Sequence, residues 1–326
     1  MQIDTAGKAI DLFVHLAEGA SELELVFTGG EPLLAQETLT FLLKRATELC
    51  LTSGMRPRFI LKTNGTIMTD DLIPRLRASS VRAVVSIDGQ AAFHNTSRLS
   101  NQGESTHALV LGNLLRLQNQ GVECVASMTV IPEFAGKIAE NVRYLLDNGI
   151  YRIDVGPAYG TVIWQPEQVK LLTDSFLEIA EIQREGSIDG RNLVIGPLYR
   201  DSDHHGGILA DTWGCHAGSS HLAFLPDGQI AGCSSLAMLS QVFPNLILGN
   251  LNKGIDQNSL DVFQRLTHAP ISKRPACITC DTAANCSGGC IAINLSDTGK
   301  PNVPPAFYCD CIGVLPKALS LAWGES

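Results

Sequence analysis

Apolar residues in the first half of the chain follow two alternating rhythms. Short β-branched runs read as strands: LELVFTG (23–29), PRFILKTNG (57–65), RAVVSIDG (82–89), VECVASMTV (122–130) and YRIDVGPA (151–158). Between them, apolar positions recur at helical spacing over 36–53, 69–79, 105–120, 134–148 and 166–185. DTAGKAIDLFVHLAEGA opens the chain as a helix with no strand before it. Apolar strands alternating with helices predict an α/β fold, a five-stranded parallel sheet under covering helices. After residue 190 Gly, Pro, Asp, His and Cys dominate, and helical period is weak until SLDVFQRL (259–266). Two domains are therefore expected, 1–190 and 191–326, the second loop-rich and held by metal rather than by a large core.

Composition narrows the function. The chain has 326 residues, 45% of them hydrophobic, enough for one large packed domain and a smaller one. A net charge of −9 argues against nucleic acid or an anionic membrane surface as partner. The sequence contains no apolar run long enough to span a bilayer. MQIDTAGKAIDLF lacks the basic start, apolar core and cleavage site of a signal peptide. A cytoplasmic location is expected, where thiols stay reduced.

Three strand candidates end in turn-forming polar residues: TGGEP, KTNGT and SIDGQ. In parallel α/β folds the ligand site lies at the carboxyl ends of the strands, so three such ends in succession point to one shared site.

Of ten cysteines, Cys50 and Cys124 sit in apolar helix and strand patterns and read as buried core. The other eight, Cys215, Cys233, Cys277, Cys280, Cys286, Cys290, Cys309 and Cys311, crowd the second region and read as metal ligands. CITCDTAANCSGGC (277–290) has the spacing C-x2-C-x5-C-x3-C, with Ser287, Gly288 and Gly289 forming a sharp turn. Two closed zinc sites would use eight thiolates; iron–sulfur clusters use the same ligands, and composition leaves both open.

C-x12-G-x4-C over Cys215, Gly228 and Cys233, followed by that four-cysteine run and a final Cys, resembles the SPASM domain of radical S-adenosylmethionine enzymes. The resemblance extends to VFTGGEPLL (26–34), TNG (63–65) and SIDG (86–89) followed by His94 and Arg98, and covers the chain to about residue 311. It implies a partial (β/α)6 barrel lacking its first strand, joined to a cysteine-rich domain with two auxiliary clusters, of the 4Fe-4S type. Cys277, Cys280, Cys286 and Cys309 would hold one cluster, with Cys311 the rival for the last place. Cys215, Cys233 and Cys290 would hold the other; His204, His205 and Asp211 are candidates for its fourth ligand, or that iron stays open to substrate. The backbone of Gly29 and Gly30 would approach the methionine amino group of S-adenosylmethionine, and Glu31 would help to fix it. Pro32, Asn64, Ser86, Asp88 and Arg98 complete the implied cofactor site, with Ser86 and Arg98 expected at the ribose or carboxylate. No catalytic base is assigned; Asp154, within a strand, is as readily a partner for a neighbouring cation.

The family's C-x3-C-x2-C motif does not occur in this sequence. Either the sequence is truncated, which is the preferred expectation, or the chain is a short relative without radical chemistry. The implied function is modification of a peptide or protein by hydrogen abstraction with a 5′-deoxyadenosyl radical, served by an electron donor such as flavodoxin or ferredoxin. A sulfatase-type maturase is the alternative within the class. In such enzymes an Asp, proposed as the base, follows the second cysteine of the G-x4-C pair; here Ser234 follows Cys233. A non-catalytic iron–sulfur relay protein and a zinc-stabilised interaction module are the alternatives outside it.

Overall fold

The computed structural model describes residues 1–189, 193–198, 215–267, 270–286 and 288–324. It divides into two compact units. One comprises Met1–Pro157, Asp174–Tyr199 and Ala318–Ser326; the other comprises Ala158–Thr173 and Arg200–Lys317.

The first unit follows the alternation of the sequence. Its elements are α1 (Ile3–Leu16), β1 (Glu22–Phe27), α2 (Gln36–Thr52), β2 (Arg56–Thr63), α3 (Leu72–Ala78), β3 (Arg82–Ser86), α4 (Ala91–Ser97), α5 (His107–Asn119), β4 (Glu123–Val130), α6 (Ile138–Asp147) and β5 (Arg152–Pro157). They are followed by α7 (Pro166–Ile188) and β6 (Val194–Gly196). The sheet has six parallel strands in the order β1-β2-β3-β4-β5-β6, one more than expected. Strand order follows chain order, so every crossover steps the same way, as in a (β/α) barrel. β6 is only three residues long, too short for alternation to register.

Side chains alternate cleanly between the two sheet faces. Leu23, Leu25, Phe59, Leu61, Ala83, Val85, Cys124, Ala126, Ile153 and Val155 are buried. Helical residues such as Ile73, Leu76, Leu114, Leu117 and Leu145 are buried completely. Each such side chain contributes about 1.5–3 kcal/mol of transfer free energy. The opposite face is polar and partly open. Glu22 pairs with Arg56 and, at 3.0 Å, with Arg58, while Glu123 pairs with Arg82 at 3.0 Å and Arg152 at 3.3 Å.

The second unit contains an antiparallel sheet in the order β10-β9-β8-β7, formed by β7 (Ala223–Phe224), β8 (Gln229–Ala231), β9 (Ile247–Asn250) and β10 (Gly254–Ile255). Its helices are α8 (Ser234–Leu239), α9 (Gln257–Thr267), α10 (Ala283–Cys286) and α11 (Ile291–Thr298); α12 (Ala306–Trp323) ends the chain. The unit has its own small core of Ala217, Leu236, Leu246, Leu248, Phe263, Ile291, Ala292 and Leu295, with Cys215, Cys233 and Cys290 packed against it. The second region is thus more ordered than its loop-rich composition suggests. Among the described residues, no helix is long and apolar enough to cross a membrane.

Candidate functional site

At the carboxyl end of β1 the chain turns through Gly29 and Gly30. Gly29 has φ +123°, a conformation open to glycine, and a Cβ added at either residue would meet nothing within 4 Å. Backbone there faces open space that a side chain would fill. Glu31 shapes the loop: Oε1 accepts from Leu33 N–H (3.0 Å) and Thr63 Oγ1 (2.8 Å), and Oε2 accepts from Asn64 N–H (2.8 Å). One carboxylate thus ties the GGEP turn to the TNG turn beyond β2. Three of its roughly four acceptor positions are used, which leaves room for one more donor. Pro32 starts a short 3₁₀ turn, and exposed Asn64 caps its own turn by accepting from Thr66 N–H at 2.9 Å.

The end of β3 is built on buried polar contacts. Asp88, 7% exposed, grips Arg98 in a two-point ion pair: Nε donates to Oδ2 at 2.6 Å and Nη2 to Oδ1 at 3.0 Å. Thr129 N–H adds a third bond to Oδ1 at 2.9 Å, tying β3 to β4. Arg98 is therefore no loose surface charge. Behind the pair lies His94, fully buried. Its Nδ1 accepts from Asp88 N–H at 3.3 Å, so Nε2 carries the proton and donates to Thr106 Oγ1 at 3.0 Å. Thr106 in turn donates to the Arg98 carbonyl at 2.5 Å. Burial pushes His94 down to about 4, with Asp88 opposing and Arg98 and His107 assisting. His107 Nε2 donates to the Gly89 carbonyl at 2.9 Å. Gly89 has φ +96°, and a Cβ there would lie 2.2 Å from Asn141 Oδ1.

Register places Ser86, Ser127 and Asp154 side by side on β3, β4 and β5. All three lie on the open face. Surrounding protein raises the Asp154 carboxyl above its usual range although water reaches it, and Lys62 opposes the shift. No ion pair of Asp154 is found within 4 Å among the described residues; Lys62 acts on it from a distance.

Seven of the eight cysteines of the second unit fall into two electrostatic neighbourhoods. The thiols of Cys277, Cys280, Cys286 and Cys309 act on one another. Cys215, Cys233 and Cys290 form the second group. Cys311 is buried, and Cys309 is the one cysteine that acts on it. Burial pushes Cys215 and Cys309 up to about 11 and Cys311 up to about 12. Backbone donors are already aimed at several sulfurs. Gly288 and Gly289 N–H point at Cys286, Ala217 N–H at Cys215, and Ser235 and Leu236 N–H, the latter at 3.4 Å, at Cys233, which caps α8. Such bonds favour the thiolate and help to set the properties of a bound cluster.

Among the described residues, no three His, Cys, Asp or Glu side chains converge on one point closely enough to grip a single metal ion. The two thiol groups, with backbone N–H donors aimed at Cys215, Cys233 and Cys286, suit iron–sulfur ligation. His204, His205, Asp211 and Ser287 lie outside the described residues.

Sequence reasoning missed three features here. Tyr159, held by a side-chain hydrogen bond to Ser235, stands beside Cys233 and Cys290. Tyr308 lies near Cys290 and Cys286 and is pushed upward by burial. Arg274 is buried beside Cys277 and Cys286. KRPAC gave one signal: a cation three residues before a ligand candidate.

No family model matches the chain. The serine-type anaerobic sulfatase-maturating enzyme of Klebsiella aerogenes is 26% identical over 302 residues, covering 89% of this chain and 71% of that protein. The solved structure of native anSMEcpe with bound AdoMet superposes with a TM-score of 0.78 at 17% identity, covering 100% of this chain and 91% of that one. The same protein has been solved with AdoMet and the Kp18Cys peptide, with a TM-score of 0.74 at 18% identity, covering 99% and 91%. Streptococcus suis SuiB bound to its precursor peptide SuiA matches with a TM-score of 0.60 at 15% identity, over 93% of this chain and 68% of that one. By sequence the chain is similar to serine-type anaerobic sulfatase-maturating enzymes, and its fold is that of anSMEcpe and SuiB.

Proposed function

We propose that this chain provides the S-adenosylmethionine-binding sheet and the two-cluster domain of an enzyme that modifies a peptide or protein. The observation that carries this reading is the sorting of the thiols. Seven cysteines scattered over 95 residues of sequence, Cys215 to Cys309, gather in two groups, each supplied with backbone donors. Cys277, Cys280, Cys286 and Cys309 are assigned to one iron–sulfur cluster and Cys215, Cys233 and Cys290 to the other. Cys311 remains a buried helical residue. When bound, S-adenosylmethionine and a reduced cluster supply a radical that takes a hydrogen atom from a substrate carbon.

The chain's own residues bind and orient. Gly29 and Gly30 leave the cofactor's amino-acid end free to approach the backbone, and Glu31 offers its remaining acceptor position to the ammonium. Arg98, fixed by Asp88, holds a cation at the end of β3 where a ribose or carboxylate would lie. Ser86, Ser127 and Asp154 line the open face of the sheet beside it. The sequence contains no C-x3-C-x2-C, so the radical-generating cluster is assigned to no residue of this chain. A peptide substrate is supported by the peptide-bound structures of anSMEcpe and SuiB. A flavodoxin- or ferredoxin-like donor in the cytoplasm completes the reading.

Gly30 gives the cleanest test, because its conformation is ordinary and its Cβ side is empty. Gly30→Val should fold normally yet fill the cradle. Equilibrium dialysis of the anaerobically reconstituted chain should show S-adenosylmethionine binding that Gly30→Val reduces at least tenfold. Equal retention by both proteins would overturn the assignment.

Identity to the sulfatase-maturating enzymes favours oxidation of a protein serine or cysteine to formylglycine as a second reading. Ser234 where those enzymes carry an Asp weighs against it. Mass spectrometry of a Ser- or Cys-containing sulfatase peptide separates the two readings: loss of two hydrogens from Ser, or replacement of sulfur by oxygen together with loss of two hydrogens at Cys, supports the second.

A further inference from the structure

The charged residues on the open face of the first sheet stand at two levels. At the amino ends of the strands each is paired. Glu22 meets Arg56 and Arg58, Arg58 also lies 3.8 Å from Glu24, and Glu123 meets both Arg82 and Arg152. Half-buried Ile60, Val84 and Val125 share this face. Nearer the carboxyl ends stand Lys62 on β2 and Asp154 on β5, both exposed. Register puts Lys62 beside Val84 and sets Ser86 and Ser127 in one row with Asp154. Among the described residues, no side-chain hydrogen bond and no ion pair within 4.0 Å engages any of these four. Two opposite charges and two hydroxyls thus keep their bonding capacity. Surrounding protein disfavours the Asp154 charge, and Lys62 offsets this only from a distance. Carboxylates held in this way concentrate at functional sites. Ser86 belongs to the implied cofactor site, so the patch adjoins it.

We propose that Lys62 and Asp154 select the peptide substrate by charge, Lys62 taking an acidic side chain and Asp154 a basic one. The inference rests on the peptide-modifying reading above. β2 and β5 are three strand spacings apart, about 14 Å along the sheet. On an extended peptide, side chains two or four residues apart lie on one side, about 7 or 13 Å from each other. An acidic and a basic residue at such spacings fit within that span, with the hydroxyls of Ser86 and Ser127 between them. The lower level offers no such selection, because its charges already neutralise one another.

The test is fluorescence anisotropy of labelled heptapeptides on the anaerobically reconstituted full chain. The probes are Gly/Ser-rich and carry Glu and Arg two or four residues apart; control peptides have Gln in place of Glu, of Arg or of both. Wild type should bind the better Glu/Arg peptide about fivefold more tightly than either singly neutral control, the upper range for one exposed ion pair. Lys62→Gln should abolish only the discrimination between Glu and Gln, and Asp154→Asn only that between Arg and Gln. A merely structural role would weaken all peptides together. Each substitution removes an exposed, unpaired charge, so urea midpoints should not fall. If wild type binds all probes alike, or if discrimination survives in both variants, the inference is overturned and the peptide reading stands. Binding of no probe, with S-adenosylmethionine still retained, would sink the peptide substrate together with the inference and leave the cofactor site standing.

Discussion

Lowering the pH from 7 to 5 should weaken the first unit through His94. This imidazole is fully buried and neutral, accepting from Asp88 N–H and donating to Thr106. Its proton affinity falls from 6.5 to about 4, chiefly by burial. The unfolded chain therefore binds the proton first. Stability is fully present above pH 6.5, falls as the pH drops through the window between 6.5 and about 4, and levels off below it. The full shift corresponds to about 3 kcal/mol, of which about 2 kcal/mol is lost between pH 7 and pH 5. Other groups titrate over this range, so the comparison is with His94→Gln, which is neutral throughout. Urea unfolding followed by circular dichroism at pH 7 and 5, under reductant, should show wild type losing about 2 kcal/mol more than the variant. Equal losses would mean that His94 is not held neutral, and the hydrogen-bond directions assigned around Asp88 and Arg98 would be wrong.

The other predictions address the two groups of site residues. Gly89→Ala should destabilise the fold by about 2–4 kcal/mol in urea melts, because its positive φ and the contact with Asn141 both oppose a side chain. Glu31→Gln replaces one acceptor by a donor facing N–H or O–H groups; it should cost about 1–2 kcal/mol in stability and weaken S-adenosylmethionine binding in dialysis. Cys309→Ser should lose about one cluster's iron while Cys311→Ser keeps both, as read by iron and sulfide analysis. The Cys215 and Cys309 thiols are held up at about 11, so cluster assembly must release protons, and iron incorporation should rise from pH 7 to pH 8.5.

Strands β1 to β5 and the long helices of the first unit were legible in the sequence because each buries one side and exposes the other, so period and burial agree. β6 was not, since three residues of NLVIGP carry no period. α12 was hidden by Pro316 and by the Cys and Gly residues along it, which read as loop and ligand. The cysteine spacing revealed that metal ligands were present, and the order of the seven matched positions suggested how they divide. Which thiols stand near one another is a property of the folded chain, since Cys309 joins its group from α12. The scaffold around Asp88 was invisible for the same reason. His94 stood out only through the resemblance and without a role, while Thr106, Asn141 and Thr129 are polar residues at unremarkable positions; the four come together only when their elements pack. Arg274 and Tyr159 belong to this class too: an Arg or Tyr in a loop reads as surface until its burial and neighbours are known.

The most direct measurement is the metal and sulfide content of the anaerobically reconstituted chain, with Mössbauer spectra. Two four-iron clusters correspond to about eight iron and eight sulfide per chain, with seven cysteines as ligands. Finding that stoichiometry, reduced to about half in Cys277→Ser, would agree with the two-cluster domain derived from the thiol groups. Stoichiometric zinc without acid-labile sulfide, or iron unaffected by Cys277→Ser, would contradict it.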